Sequence, residues 1–152
     1  MNRAIGALTA CVLLLAGCAE AGGRSSAGQV TAPTTVDAYS IRVGDCVGKL
    51  ETDSTTRLSL MPCDQGHSWE AFATRTLAGD DYPGANAVQA QAVAACTEAF
   101  EPFAGVAAKD SKFELRVLTP TKDSWAQLDR TVTCLIGSSA GGLTGSLAGV
   151  AR

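Results

Sequence analysis

The sequence lacks the basic cluster that a nucleic-acid-binding surface requires. Its 12 Lys and Arg residues are outnumbered by 15 Asp and Glu residues, which gives a formal net charge of −3. Within the body of the chain the cations are scattered singly between Arg42 and Arg130. Because proteins bind nucleic acid largely by placing clustered Lys and Arg on phosphates, we expect no nucleic-acid partner.

Catalytic and metal-binding motifs are also missing. No C-x-x-C pair, phosphate-binding glycine loop, nucleophile elbow or Ser-x-x-Lys motif occurs. Cys63 and His67 would supply at best half of a zinc site, and Asp80 with Asp81 are too few ligands for calcium. The sequence therefore favours a protein that is not an enzyme and carries no metal or cofactor.

Aromatic residues make up only 5% of the chain, which is little material for the core of a small domain. Such domains usually depend on disulfides, and the body of this chain contains an even number of cysteines. Four cysteines allow three pairings. We predict Cys46–Cys63, joining neighbouring strand ends, and Cys96–Cys134, joining the apolar face of a helix to the last strand. The pairing Cys46–Cys134 with Cys63–Cys96 stays open as an alternative.

The N-terminus has the pattern of an export signal. Its apolar run from Ala4 to Ala16 is too short for a transmembrane helix, which needs about 20 residues. The run ends in Leu15-Ala16-Gly17-Cys18, which resembles a bacterial lipobox. We therefore predict a signal peptide over residues 1–17 and lipidation of Cys18, with cleavage after Ala21 and secretion as the alternative.

The remaining chain divides by composition into a linker, a domain and a tail. Residues 18–38 are small, polar and without periodicity, which predicts a lipidated cysteine followed by a flexible tether. Residues 39–149 are predicted to form the folded domain, and 150–152 a C-terminal tail. The expected location is the outer face of the plasma membrane, held there by a lipid anchor.

Periodicity within the domain predicts an α+β fold. Alternating apolar and polar residues predict strands over 39–47, 57–61, 69–77, 112–119 and 131–136. Helical spacing predicts a helix from about Ala87 to Phe100 or a little beyond, with Asn86 as its N-cap and with Pro102 and Gly105 at its end. A single helical turn is predicted around Trp125. We expect a small, mostly antiparallel sheet with one packed helix and two disulfides.

Five residues are candidates for an interaction surface or a site. His67 and Glu70 are an acid/base pair or, alternatively, structural groups that stabilise a turn beside the disulfide. Trp69 is an exposed anchor for a partner or a core residue. Asp129 and Arg130 bind an anion or form structural contacts.

An ordered series of short segments resembles the septum formation family of actinobacterial envelope proteins. The segments are VGDCV at 43–47, PCDQGHSWEAF at 62–72, YPG at 82–84, CTEAF at 96–100, Pro120-x4-Trp125-x3-Asp129-Arg130-x3-Cys134, and GLTGSLAG at 142–149. The family pattern usually has Gly-Asp-Arg where this chain has Leu128-Asp129-Arg130. The resemblance implies a role near cell division but supplies no activity, ligand or catalytic residue.

These observations predict a membrane-anchored lipoprotein that acts as an interaction module in the cell envelope. Its expected partner is a protein of unknown identity. Two alternatives remain open at this point. One is a cell-wall hydrolase that uses Glu70 or Asp129 together with His67. The other is a lipoprotein that binds a small ligand. A deep polar pocket joining His67, Glu70 and Arg130 would favour either alternative.

Overall fold

A computed structural model describes residues 23–50 and 57–151 and shows the predicted α+β class. The strands form one curled antiparallel sheet in the order β1-β3-β2-β4-β6-β5. A long helix, α1, packs on this sheet. The elements are β1 (Thr34–Asp37), β2 (Cys46–Val47), β3 (Arg57–Met61), β4 (Trp69–Thr76), α1 (Ala85–Ala104), β5 (Glu114–Leu118), α2 (Lys122–Ala126) and β6 (Thr131–Gly137).

The sheet has an apolar cluster on each face. The cluster under α1 contains Phe72, Val88, Phe100, Val132 and Ile136, and the cluster on the opposite face contains Ile41, Val47, Leu58, Leu60, Trp69 and Leu135. Neighbouring residues of a strand point to opposite sides of the sheet, so consecutive apolar residues such as Leu135 and Ile136 make both faces apolar. The alternation read from the sequence therefore located the strands, although it did not show that both faces are covered.

The pairing of β4 with β6 forms the centre of the sheet. It runs from Trp69↔Gly137 to Thr76↔Thr131, with a bulge where Ala71 pairs with Leu135 and Ala73 with Cys134. The extra residue in the bulge is Phe72, which packs edge-on against Phe100 of α1 at a ring-centroid distance of 5.7 Å. The bulge thus turns an aromatic side chain toward the helix.

Both predicted disulfides are confirmed. Cys46–Cys63 has a Cα–Cα distance of 5.2 Å, and Cys96–Cys134 has one of 5.4 Å. The alternative pairing is therefore wrong. The first bond ties β2 to the chain after β3, and the second ties α1 to β6.

The helix begins at Ala85, earlier than predicted, and ends at Gly105, as predicted. The N-cap of α1 is Gly84, without a side-chain cap, so the prediction of Asn86 as the N-cap was wrong. The helix continues past Phe100 through Pro102 and ends at Gly105, whose left-handed backbone (φ 78°) lets its N–H donate to the Glu101 carbonyl oxygen. Proline is tolerated there because it removes a single backbone donor close to the helix end.

The prediction of a flexible tether over residues 18–38 was wrong from residue 23 onward, because Arg24 bridges to Val30 in a small hairpin and a strand follows it. Thr34–Asp37 forms β1, which pairs with β3 from Thr34↔Leu60 to Asp37↔Arg57. The following strand is shorter than predicted, since a 3₁₀ turn occupies Ala38–Ser40 and only Cys46–Val47 pair in the sheet. The signal peptide, Cys18 and residues 51–56 lie outside the described residues, so these predictions stay predictions.

Leu128 occupies the position where the family pattern usually has glycine, and its backbone is left-handed with φ 67°. The Leu128 N–H donates to the Trp125 carbonyl and the Asp129 N–H to the Ser124 carbonyl, which is the bonding of a glycine-ended helix. The Leu128 side chain is 83% exposed, so it gains little from packing. The chain therefore keeps this turn, and Leu128 adopts the strained left-handed conformation that the turn requires.

We expect Leu128→Gly to stabilise the protein. A residue other than glycine in the left-handed conformation destabilises the folded state by roughly 1–2 kcal/mol. Glycine removes this strain but is more flexible in the unfolded chain, which offsets part of the effect. The net stabilisation is about 0.5–1 kcal/mol. Urea unfolding measures the difference. Leu128→Ala is the matched control, since it removes the exposed side chain but keeps the strain. Equal stability of the two variants would contradict the explanation.

Candidate functional site

The corner at residues 67–70 is buried. The chain leaves the Cys46–Cys63 disulfide, turns through the exposed residues 64–66 and enters β4. His67 is 3% exposed, Trp69 2% and Glu70 3%. The prediction that these three side chains form an interaction surface was wrong, because a partner cannot reach them without displacing other parts of the chain.

The cover over this corner is the segment 138–151, which we name the C-terminal strap. Its Leu143 exchanges two backbone hydrogen bonds with His67, at 2.9 and 3.0 Å, and the Gly145 N–H donates to the Cys63 carbonyl at 2.6 Å. Further along, the Ala151 N–H donates to the Ala104 carbonyl at the end of α1. The strap therefore joins the disulfide corner to the helix.

Glu70 fastens the strap through its side chain. One carboxylate oxygen accepts from the Ser146 hydroxyl at 2.7 Å, and the other accepts from the Leu147 N–H at 2.6 Å. Leu147 itself is 4% exposed and belongs to the cluster under α1. Both oxygens are thus used to hold a neighbouring segment, which is a structural task and leaves neither oriented toward a substrate.

His67 has a structural environment of the same kind. Its Nδ1 lies 2.9 Å from the Gln65 carbonyl oxygen, and since a carbonyl only accepts, Nδ1 carries the proton. Nε2 is buried and has no hydrogen-bond partner within residues 23–50 and 57–151. His67 therefore stabilises the turn after Cys63, as the structural interpretation predicted, and it makes no hydrogen bond to Glu70 among the contacts described.

Arg130 is also structural. Its guanidinium lies 3.9 Å from the centre of the Trp125 ring and donates to the carbonyls of Gly79 and Asp80, among others. Asp129 accepts from the Thr131 N–H at 2.9 Å. Trp125 is 2% exposed, so these contacts close the core beside α2.

The five candidate residues form two clusters rather than one site. Glu70 lies near the first residue of β4, whereas the Arg130 carbonyl accepts from the Leu77 N–H just beyond the last. The eight residues of β4 separate them by roughly 20 Å, at about 3.3 Å per residue. The acid/base set of the hydrolase alternative is therefore not assembled.

The structure also shows a charged pair that the sequence did not indicate. Arg24 holds Asp45 through two hydrogen bonds of 2.6 Å each, and Asp45 is only 4% exposed. The hydrogen bond to this carboxylate raises the pKa of the Arg24 guanidinium. Gly44-Asp45 is recognisable as a turn, but no sequence pattern connects it to a residue inside a low-complexity segment.

The described residues contain an open groove between β4 and the second half of α1. Its lining includes Val43, Phe72, Arg75, Glu98 and Phe103. Within residues 23–50 and 57–151, no three His, Cys, Asp or Glu side chains are placed to hold a metal ion. No helix in that part of the chain has the length and apolarity needed to cross a bilayer.

A family model described as Septum formation matches residues 8–134. The chain belongs to the septum formation family. The match ends at Cys134, so the GLTGSLAG segment and the whole C-terminal strap lie beyond the matched residues of this family member. No curated protein and no solved structure matches the chain.

Proposed function

We propose that this septum formation family member is a lipid-anchored extracytoplasmic module that binds a protein of the cell envelope during septum formation. The observation that carries the proposal is the family match over residues 8–134. A family match alone gives a process and not a mechanism, so the location and the mode of action need separate support.

The disulfides support an extracytoplasmic location. Cys96 and Cys134 are fully buried and bonded, and Cys46 is bonded to the partly exposed Cys63. Structural disulfides of this kind persist in oxidising compartments and are rare in the cytosol of most organisms. The apolar run that ends at Cys18 supplies both the export signal and the residue that would carry the lipid.

The geometry of the candidate residues supports binding over catalysis. Glu70 fastens the C-terminal strap, His67 stabilises a turn, and Arg130 stacks on Trp125. A hydrolase or a small-ligand site built on these residues would need them together in one polar pocket, and they lie at opposite ends of β4. Among the residues that the structure describes, no contact supports either alternative.

Crosslinking in intact cells tests the proposal. A photo-crosslinking residue replaces the exposed Val93 on α1 in one strain and the exposed Val43 in another, and each strain also carries a fluorescent reporter of septum position. We expect a discrete protein adduct that requires light and a protein enriched at septa. Uniform distribution around the cell, with no adduct from either position, would contradict the proposal.

The anchor itself is tested by Cys18→Ala. The thiol of Cys18 is the nucleophile that would receive diacylglycerol, so its loss should abolish palmitate labelling and leave either an uncleaved precursor or a released protein. Cys11→Ala is the matched control because Cys11 lies inside the predicted signal peptide. Palmitate labelling that survives Cys18→Ala would refute the lipobox interpretation.

A further inference from the structure

The sheet ends in β1 on one side and in β5 on the other, and their outer edges differ. β1 has four residues, follows Pro33 and has the hairpin of residues 23–31 against its start, since a Cβ built on Gly23 would lie 3.2 Å from the Thr34 Cβ. β5 has five residues that all pair with β6 without a bulge, and it contains neither proline nor lysine. Because short length, proline, lysine and covering segments protect sheet edges, β5 is the edge to which another strand can add.

The backbone groups of Leu115 and Val117 point outward from this edge. At the two ends of β6, the Arg130 carbonyl and the Ser138 N–H form hydrogen bonds with the chain on the β4 side. Since alternate residues of a strand direct their N–H and C=O groups to the same side, the odd-numbered residues of β6 bond β5. Their partners in β5 are its even-numbered residues. Leu115 and Val117 therefore offer backbone donors and acceptors that no residue in 23–50 or 57–151 uses.

The side chains of β5 alternate between apolar and charged. Leu115 and Val117 pack against the cluster under α1. Glu114 and Arg116 lie on the other face of the sheet, where the Arg116 guanidinium is 5.9 Å from the centre of the Trp69 ring. The edge strand thus carries an apolar row on one face and one charge of each sign on the other.

Charge selects one register for the pairing of β5 with β5 of a second copy. A two-fold axis through Leu115 places Glu114 of each copy opposite Arg116 of the other and matches the outward backbone groups of the two strands. An axis through Glu114 or through Arg116 would place like charges opposite each other. An axis farther along the strand would leave Arg116 opposite an uncharged residue, and an axis between two residues would pair outward backbone groups with inward ones.

We propose that the protein forms a symmetric dimer in which β5 pairs antiparallel with β5 of the second copy about an axis through Leu115. The two sheets then form one continuous sheet with both α1 helices on the same side, because the axis is perpendicular to the sheet. Val93 of α1, which is 42% exposed and lines a groove with Leu115 and Val117, contributes apolar surface beside the junction. The dimer depends neither on the lipid anchor nor on the partner of the proposed function.

One contact prepares Glu114 for this pairing. Its Oε1 accepts from the Ser139 N–H at 3.0 Å and from the Ser139 hydroxyl at 2.8 Å, which restrains the side chain. Its Oε2 has no hydrogen-bond partner within residues 23–50 and 57–151, and in the dimer it would accept from the guanidinium of Arg116 of the second copy.

Reversal of the two charges tests the dimer and its register. Sedimentation equilibrium of the full exported chain in density-matched detergent gives the protein mass, and concentrations up to roughly 100 µM cover the weak affinity expected of a small interface. We expect the wild type to approach twice the mass of one chain. Glu114→Arg alone and Arg116→Glu alone should each raise the dissociation constant roughly tenfold or more, because two like-charge pairs replace two opposite-charge pairs. An equimolar mixture of these two variants should dimerise again, and so should the double variant.

Arg75→Glu is the matched control, since it makes the same change at an exposed cation on β4, which β6 separates from β5. It should leave the association unchanged. A wild-type chain that is monomeric at every concentration refutes the dimer without reference to any variant. A dimer that both single reversals leave intact, or that the mixture of folded variants fails to restore, refutes pairing through β5 in this register. A thermal melt of each variant shows that it is folded.

Discussion

Gly137→Ala should destabilise the protein by about 3 kcal/mol or more, because a methyl group at this position would overlap neighbouring backbone. A Cβ built on Gly137 would overlap the Ser68 carbonyl oxygen and lie 2.8 Å from the Trp69 Cα. Gly137 ends β6, where it pairs with Trp69 on one side and Glu114 on the other. The start of β4 and the end of β6 would have to move apart, and the movement would disturb the corner under the C-terminal strap.

Gly66→Ala is the matched control for this prediction. Gly66 lies in the same corner, but a Cβ there would meet no atom within 4 Å, and its backbone is not left-handed. We expect it to change the free energy of unfolding by no more than about 0.5–1 kcal/mol, in the stabilising direction. Thermal melts of the two variants decide the matter. Melting temperatures that agree within error would mean that β4 and β6 are not as closely spaced as described.

Strong local periodicity explains which parts of the fold were predictable. Arg57–Met61 and Thr131–Gly137 alternate clearly, and their boundaries were predicted to within a residue. Val88, Ala92, Cys96 and Phe100 share one helix face, so the sequence pattern favours a bond from Cys96 to the inward-facing Cys134. The disulfide pairing followed from those two facts.

The missed elements depend on contacts between distant parts of the chain. Thr34–Asp37 contains a single apolar residue, Val36, and becomes a strand only because β3 supplies its hydrogen-bonding partner. Arg24 lies in a segment of glycine, serine and alanine, and its partner Asp45 is 21 residues away. Neither contact leaves a periodic signal.

Contacts between distant parts of the chain also explain why the burial of the candidate site could not be predicted. Whether His67 and Glu70 are exposed is decided by the C-terminal strap, whose Ser146 and Leu147 are 76 and 77 residues from Glu70. The residue types suggested an acid/base pair, and the strap converts the carboxylate into a structural acceptor. Sequence spacing could locate the corner beside the disulfide but could not show what covers it.

Loss of the Cys96–Cys134 disulfide should have an effect as large as that of Gly137→Ala. Its cysteines are 38 residues apart, against 17 for Cys46–Cys63. In the chain-entropy model these loops correspond to about 4 and about 3 kcal/mol, respectively, because a longer closed loop restricts the unfolded chain more. The longer loop also joins α1 to β6 across the cluster that contains Phe72 and Val132.

We therefore expect the double variant Cys96→Ala with Cys134→Ala to lose about 4 kcal/mol, a large part of the roughly 5–15 kcal/mol that stabilises a typical domain. The variant Cys46→Ala with Cys63→Ala is the internal comparison, since Cys63 is partly exposed and leaves a smaller cavity. Urea unfolding of the two variants, each with its remaining disulfide oxidised, shows which one loses more stability. The comparison requires that the unfolding free energy depends equally on urea concentration in both variants. If removal of Cys46–Cys63 proved the more costly, the corner under the C-terminal strap, rather than the junction of α1 with β6, would be the part of the fold that most depends on its disulfide.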